Sequence, residues 1–299
     1  MARPQTRRKG LRVYGVDFSS APTSKKPIAV AVGHFEWGGD EPMTLTLERF
    51  DWLVSLAEFE EFLQRPGPWL GGFDLPFGQP RELAIHYNWP LNWSDFVEFF
   101  THEPRESLRT AFRDWCAGRP VGSKFAWRQA DKPAGSSPAM RWTNPPVAWM
   151  MQAGIGRMKA AGLVFPAHHH PPQAWSAPGR LADHQTLARL ALEAYPGFSA
   201  RQVTRQSYKS DEPGRQTLER LRARESILRG LLEGRAGLSC RLIASPALQS
   251  IMLADAKGDA LDSAICALQA CHAAVLPGFG LPLSLDPFEG WIAGVPPQH

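Results

Sequence analysis

Apolar residues come in short unbroken runs near the start of the chain and at helical spacing farther on. LRVYGVD (11–17) is almost continuously apolar and ends on Asp17, as a buried central strand would. PIAVAVGHFEW (27–37) reads as a second strand, GGDEP (38–42) as a turn, and MTLTLERF (43–50) as a third strand with period-two alternation. These three form a β-meander. LVSLAEFEEFLQR (53–65) is a helix that stops before Pro66-Gly67-Pro68, and WLGGFD (69–74) is a further short strand closing on Asp74. The turn that follows is punctuated by Pro76, Gly78 and Pro80.

Beyond Asp74 the pattern degrades, with helical pieces at SDFVEFF (94–100), SLRTAFRDW (107–115) and PVAWMMQAGIGRMKAAG (146–162). Strand periodicity returns in LALEAY (190–195), ended by Pro196-Gly197. An Arg-rich helix (219–235) follows, then GLSCRLIASP (237–246) and a last helical stretch, 246–271, which Gly258 divides into two helices or interrupts. The order predicts an α/β fold, a mixed sheet with helices on its faces. The expected organisation is a basic arm at 1–10, a core built from 11–75 and 185–275, an inserted, mostly helical subdomain at 76–184, and an irregular tail at 276–299. That tail should pack through Phe288, Trp291 and Ile292. Ligands of such sheets lie at the carboxyl ends of parallel strands, where Asp17 and Asp74 both fall.

Composition narrows the class without changing this picture. The 299 residues are 43% hydrophobic and 21% charged, and no apolar run approaches the roughly 18 residues a membrane span needs. A cytoplasmic protein with no membrane partner is expected. The four cysteines form no CxxC pair and no zinc spacing, so reduced thiols are expected. Net charge is +4, but ten basic residues lie between Arg201 and Arg241, among them Arg205 and Lys209. A phosphate-bearing partner would suit them; a solvated helix laced with Arg–Glu pairs is the plainer reading of 219–235.

The acids carry the candidate chemistry. One strand-terminal Asp is a routine turn former, but two on neighbouring strands repel unless a positive charge lies between them. Asp255, Asp259 and Asp262 recur at i, i+4 and i+7 on one side of the last helix, opposite Leu261, Ala264, Ile265 and Leu268. Asp255 reads as a cap; Asp259 and Asp262 read as ligands. Hard oxygen donors without His or Cys favour Mg²⁺ or Mn²⁺, and a pair of such ions suits phosphodiester hydrolysis. Seven Trp residues at 89, 93, 115, 127, 142, 149 and 175 interleave with basic residues. Stacking on exposed Trp would suit unpaired bases, whereas burial would make them subdomain core. Ser19, Lys124, Arg128, Arg141 and Arg205 are the candidate substrate contacts, and His168-His169-His170 reads as an exposed loop.

GVDFSSAPTSKKPIAVAV (15–32), GGFDLPFGQP (71–80), EAYPGFSARQ (193–202) and GDALDSAICAL (258–268) resemble the motifs of the predicted nuclease family filed as domain of unknown function 429. The last two are distantly similar to motifs of bacterial Holliday-junction resolvases. The resemblance spans roughly 11–85 and 187–275 and implies a ribonuclease H-like five-stranded sheet. It implies catalytic and metal-binding roles for Asp17, Asp74, Asp259 and Asp262. Glu193 would be a further acid, and Lys209, or less well Lys257, a point charge for the scissile phosphate. The expected activity is a nuclease using two metal ions on DNA or RNA. Two other classes compete with it. DFSS loosely matches the phosphate loop of the sugar-kinase, actin and heat-shock ATPase clan, and GGFDLPFG is a further Gly-rich stretch, but before the last helix DALD stands in place of a Gly-rich turn. A catalytically silent nucleic-acid- or protein-binding module would keep the same acids.

Overall fold

The computed structural model describes residues 9–38, 40–169 and 189–296. Trp175, His170 and most of the basic arm lie outside the described residues. Strands β1 (Lys9–Asp17), β2 (Ile28–Trp37), β3 (Thr44–Leu53), β4 (Trp69–Asp74), β5 (Arg189–Glu193) and β6 (Arg241–Ile243) make one mixed sheet in the order β5-β4-β1-β2-β3-β6. β1, β4 and β5 are parallel neighbours, β2 runs antiparallel to both β1 and β3, and β6 lies parallel to β3.

The five-stranded expectation is thus corrected to six. β6 spans three residues, too few to show any period in sequence, and it forms because Arg241 to Ile243 align beside Thr44 to Thr46 of β3.

Ten α-helices are present among the described residues. α1 (Leu56–Leu63) leads into β4, and its N-cap Ser55 accepts a bond from the amide of Glu58. Between β4 and β5 lie α2 (Arg81–His86), α3 (Trp93–His102), α4 (Arg105–Ala117), α5 (Asp131–Ala134) and α6 (Val147–Ala160). After β5 come α7 (Pro196–Val203), α8 (Leu218–Leu232), α9 (Pro246–Ala254) and α10 (Asp259–Ala274). The last helical stretch is therefore two helices. Gly258 separates them in the left-handed region (φ +81), which a residue with a Cβ adopts only with strain. No helix among the described residues is long and apolar enough to cross a membrane.

Alternation along the strands builds two cores. Tyr14 and Val16 of β1, with Val30, Val32, Trp69 and Phe73, face one side, where α1, α3, α4 and α6 supply Phe59, Phe96, Phe112 and Met151. Helices α2, α3, α4 and α6 share this core with the sheet, while α5 packs through Ala134 on Trp291, Ile292 and Val295 of the C-terminal segment. On the other side Leu11, Val13, Leu70 and Leu192 meet α7, α8 and α10. Fifteen of the sixteen residues of α10 are buried. The tail packs as the sequence suggested, with Phe288, Trp291 and Ile292 all buried and the amide of Ala293 bonded to the Glu193 carbonyl at 2.8 Å.

Two glycines decide how closely α10 approaches the sheet. Gly15 and Gly72 are paired in register on β1 and β4. A Cβ built on Gly15 would collide with the Ser263 carbonyl and the Ala267 amide; one on Gly72 would collide with the Cys266 carbonyl. The helix backbone rests directly on the strands at that point. Period two then places Asp17 and Asp74, two residues beyond these glycines, on the same face as α10.

Candidate active site

Asp17 and Asp74 are the last residues of parallel neighbours and stand opposite one another in register. Their side chains share a hydrogen bond. Burial is the largest influence on both and pushes their carboxyls up. Asp262, with Asp259 for Asp17 and Glu193 for Asp74, adds repulsion, and Lys209 only partly offsets it. Asp17 titrates well above the usual carboxylate range and Asp74 at about 7. Two carboxyls this close hold a proton between them more readily than two negative charges.

The third acid comes from the first turn of α10. The amide of Asp262 donates to the Gly258 carbonyl at 2.8 Å, and its side chain is fully buried. Both of its oxygens are engaged. Oδ1 accepts from the Tyr208 hydroxyl at 2.6 Å, and Oδ2 accepts from the Lys209 ammonium. The Lys209 side chain is 43% exposed while Asp262 is sealed, so part of the lysine meets solvent while its ammonium is tied to a buried carboxylate. Burial opposes the charge on Lys209, but Asp262, Tyr208 and Asp17 together hold its ammonium well above its ordinary range. Asp259 lies on the same turn; burial, then Asp255, push its carboxyl up to about 6. Asp255 acts as a cap, accepting from the amides of Ala260 at 2.8 Å and Lys257 at 3.1 Å.

These groups line a cavity of about 650 Å³. Asp17, Ser19, Asp74, Glu193, Lys209, Lys257 and Asp259 face it, with Asp262 behind Lys209. Comparison with protein-family models, curated proteins and solved structures finds no match. The chemistry of the site therefore rests on its own residues.

Three candidate substrate contacts fall elsewhere. Lys124 and Arg205 are exposed away from the cavity, and Arg141 donates to the Thr143 carbonyl at 2.9 Å, also outside it. Arg128 is a correction. Although it borders the cavity, it is only 2% exposed, and its guanidinium binds Glu193 at 2.6 and 2.8 Å and Asp131 at 2.8 and 3.1 Å. It is a buried ionic tie with no donor face turned to solvent. Burial works against its charge, yet Asp131 and Glu193 together raise its pKa. Glu193 is correspondingly committed, since it also accepts from the Phe77 amide at 2.9 Å.

The tryptophans are mostly core. Trp93, Trp115 and Trp149 are buried, and half-buried Trp89 and Trp142 pack on the same cluster. Trp127 differs: it is half-buried outside that cluster, with the Lys132 ammonium 5.9 Å from its ring centre. His168 is buried instead of lying on an exposed loop. It stacks on Trp93 at 4.3 Å, with Nδ1 2.7 Å from the Pro287 carbonyl, and burial pushes its pKa down to about 3.

Sequence reasoning did not single out Tyr208, which fixes Asp262, or the wall of the cavity formed by Pro145 to Met150. SYKS carried a weak signal, since an aromatic one residue before Lys209 in an otherwise polar loop has to pack somewhere. Among the described residues no group of three or more His, Cys, Asp or Glu is arranged to hold a metal ion. Asp17 and Asp74 nevertheless form a hard-oxygen pair that repels itself. That donor set suits Mg²⁺ or Mn²⁺, since Mg²⁺ is commonly held by one or two carboxylates, waters and substrate phosphate instead of a closed protein cage.

Proposed function

We propose that this protein is a divalent-metal-dependent nuclease whose active centre is built on Asp17 and Asp74, on a ribonuclease H-like sheet with residues 76–184 inserted between β4 and β5 and helices α2, α3, α4 and α6 packed on the sheet's own core. One observation carries the reading: two carboxylates in register at the carboxyl ends of parallel strands, backed by Asp262 and Lys209, at the floor of an open cavity. Asp17 and Asp74 would hold the cation, with Asp259 beside them. When bound, such an ion supplies a nucleophilic water and neutralises charge on the phosphate.

The remaining residues divide the work. Lys209 presents a positive charge to an incoming phosphate, and Asp262, fixed by Tyr208, holds that ammonium in place. Ser19 supplies a hydroxyl at the cavity wall. Glu193 and Arg128 keep the neighbouring wall rigid. Because Asp262 is engaged on both oxygens, the chain supports one carboxylate pair for one ion; a second ion would have to compete with Lys209.

The test is a cleavage panel of single-stranded, duplex, hybrid and branched DNA and RNA in Mg²⁺ or Mn²⁺, with Asp17→Asn beside the wild type. Cleavage that is abolished by chelation and falls by at least about a hundredfold in Asp17→Asn is the expected result. Equal activity of the two proteins would sink the assignment.

A further inference from the structure

The lining of the cavity is chemically unequal. One part of the lining carries the acids with Lys209 and Lys257; another carries Pro146, Val147 and Met150, and half-buried Tyr195 adds a ring that has the Arg201 guanidinium 5.3 Å from its centre. Phosphodiester hydrolysis explains the first part and leaves the second without a purpose, because a sugar-phosphate backbone offers no broad apolar face. A nucleobase does, and an aromatic or apolar platform binds any base by its π-face. The volume of about 650 Å³ lies inside the roughly 300–1,000 Å³ typical of pockets that enclose one small ligand. A base inside an intact duplex has both faces covered by its neighbours and can enter such a pocket only by leaving the stack.

Resting on the nuclease reading above, we propose that the cavity takes a single unpaired nucleotide, base against Val147, Met150 and Tyr195 and phosphate toward Lys209, so that the substrate is single-stranded nucleic acid. Lys26 and Lys257, the other lysines of the cavity, already have partners in Asp211 at 2.8 Å and the Lys25 carbonyl. Lys209 is partnered as well, by the buried Asp262, and it is the one of the three whose partner belongs to the acid cluster itself.

Two measurements on the full chain test this. The first is calorimetric binding of AMP and of ribose 5-phosphate in Mn²⁺. AMP should bind about tenfold or more tightly than the base-free probe, and Met150→Ala and Tyr195→Leu should each reduce AMP affinity while leaving ribose 5-phosphate unchanged. Equal affinity for the two probes would overturn the pocket. The second is the rate of cleavage of one strand alone and in a blunt duplex, where the single strand should be cut about a hundredfold faster; a duplex cut as fast or faster would overturn it. The two failures separate cleanly. Preferential AMP binding with no cleavage of any nucleic acid sinks the nuclease reading alone, and cleavage by a protein that binds AMP and ribose 5-phosphate equally sinks the pocket alone.

Discussion

Asp74 is a carboxylic acid that gives up its proton near pH 7, and burial likewise holds the Asp17 carboxyl well above its ordinary range. Both bind the proton more tightly in the folded chain than in the unfolded one. In the absence of divalent ions, stability is therefore expected to fall as pH rises from about 4 through about 7, where the folded site loses the proton that the unfolded chain has already lost. Mn²⁺ competes for the same oxygens, so its affinity should rise over the same interval. Thermal melts and calorimetric titrations between pH 5 and 8 read both effects, and Asp74→Asn should flatten both curves. Tyr208 gives a second residue-scale expectation. Tyr208→Phe leaves a buried Asp262 oxygen without its donor, which should cost about 1–3 kcal/mol in denaturant unfolding. It should also lower kcat more than it raises KM, because Lys209 loses the rigidity of its anchor. Asp17 and Asp74 were legible in sequence because a carboxylate ending an apolar run is conspicuous. The engagement of Asp262 was not, since its partners come from a loop more than fifty residues away.

At the scale of elements, the site depends on α10 lying against β1 and β4 with no side chain between them. Gly15→Ala and Gly72→Ala each place a methyl group into helix backbone, which cannot rotate away as a flexible side chain would. Each should destabilise by about 1–3 kcal/mol or more and reduce activity through displacement of Asp262. Gly118→Ala is the matched control, since a Cβ there meets nothing within 4 Å and its φ is −88°, and it should leave both properties unchanged in the same denaturation and cleavage assays. Strands β1 to β5 and helices α1, α3, α4 and α6 were readable because each carries an unbroken apolar run or a sustained period. Short α2, α5 and β6 carry none. The contact of Gly15 and Gly72 with α10 was hidden for a different reason: a glycine in a strand announces a close approach but does not name what approaches.

Across the whole molecule, one buried guanidinium joins three distant stretches of chain. Arg128 binds Asp131 at the start of α5, Glu193 at the end of β5, and the Glu289 carbonyl in the C-terminal segment at 3.2 Å. The Glu289 carboxylate adds bonds to the amides of Gln129 and Arg81, both at 2.8 Å. These links fix the segment between β4 and β5, and the C-terminal segment, to the sheet edge beside the cavity. In sequence Arg128 looked like a contact for nucleic acid, because an Arg next to Trp127 reads the same whether it faces solvent or a buried carboxylate. The two roles make opposite predictions. As a surface contact, Arg128→Met would weaken substrate binding in a salt-dependent way and leave stability alone. As a buried tie, it strands Glu193 and Asp131 without a counter-charge, so Arg128→Met should cost about 3–5 kcal/mol in urea unfolding. The triple variant Arg128→Met, Glu193→Gln, Asp131→Asn should recover part of that loss, because no uncompensated charge is left behind. Arg205→Ala, on an exposed basic residue, should leave the unfolding midpoint unmoved in the same experiment.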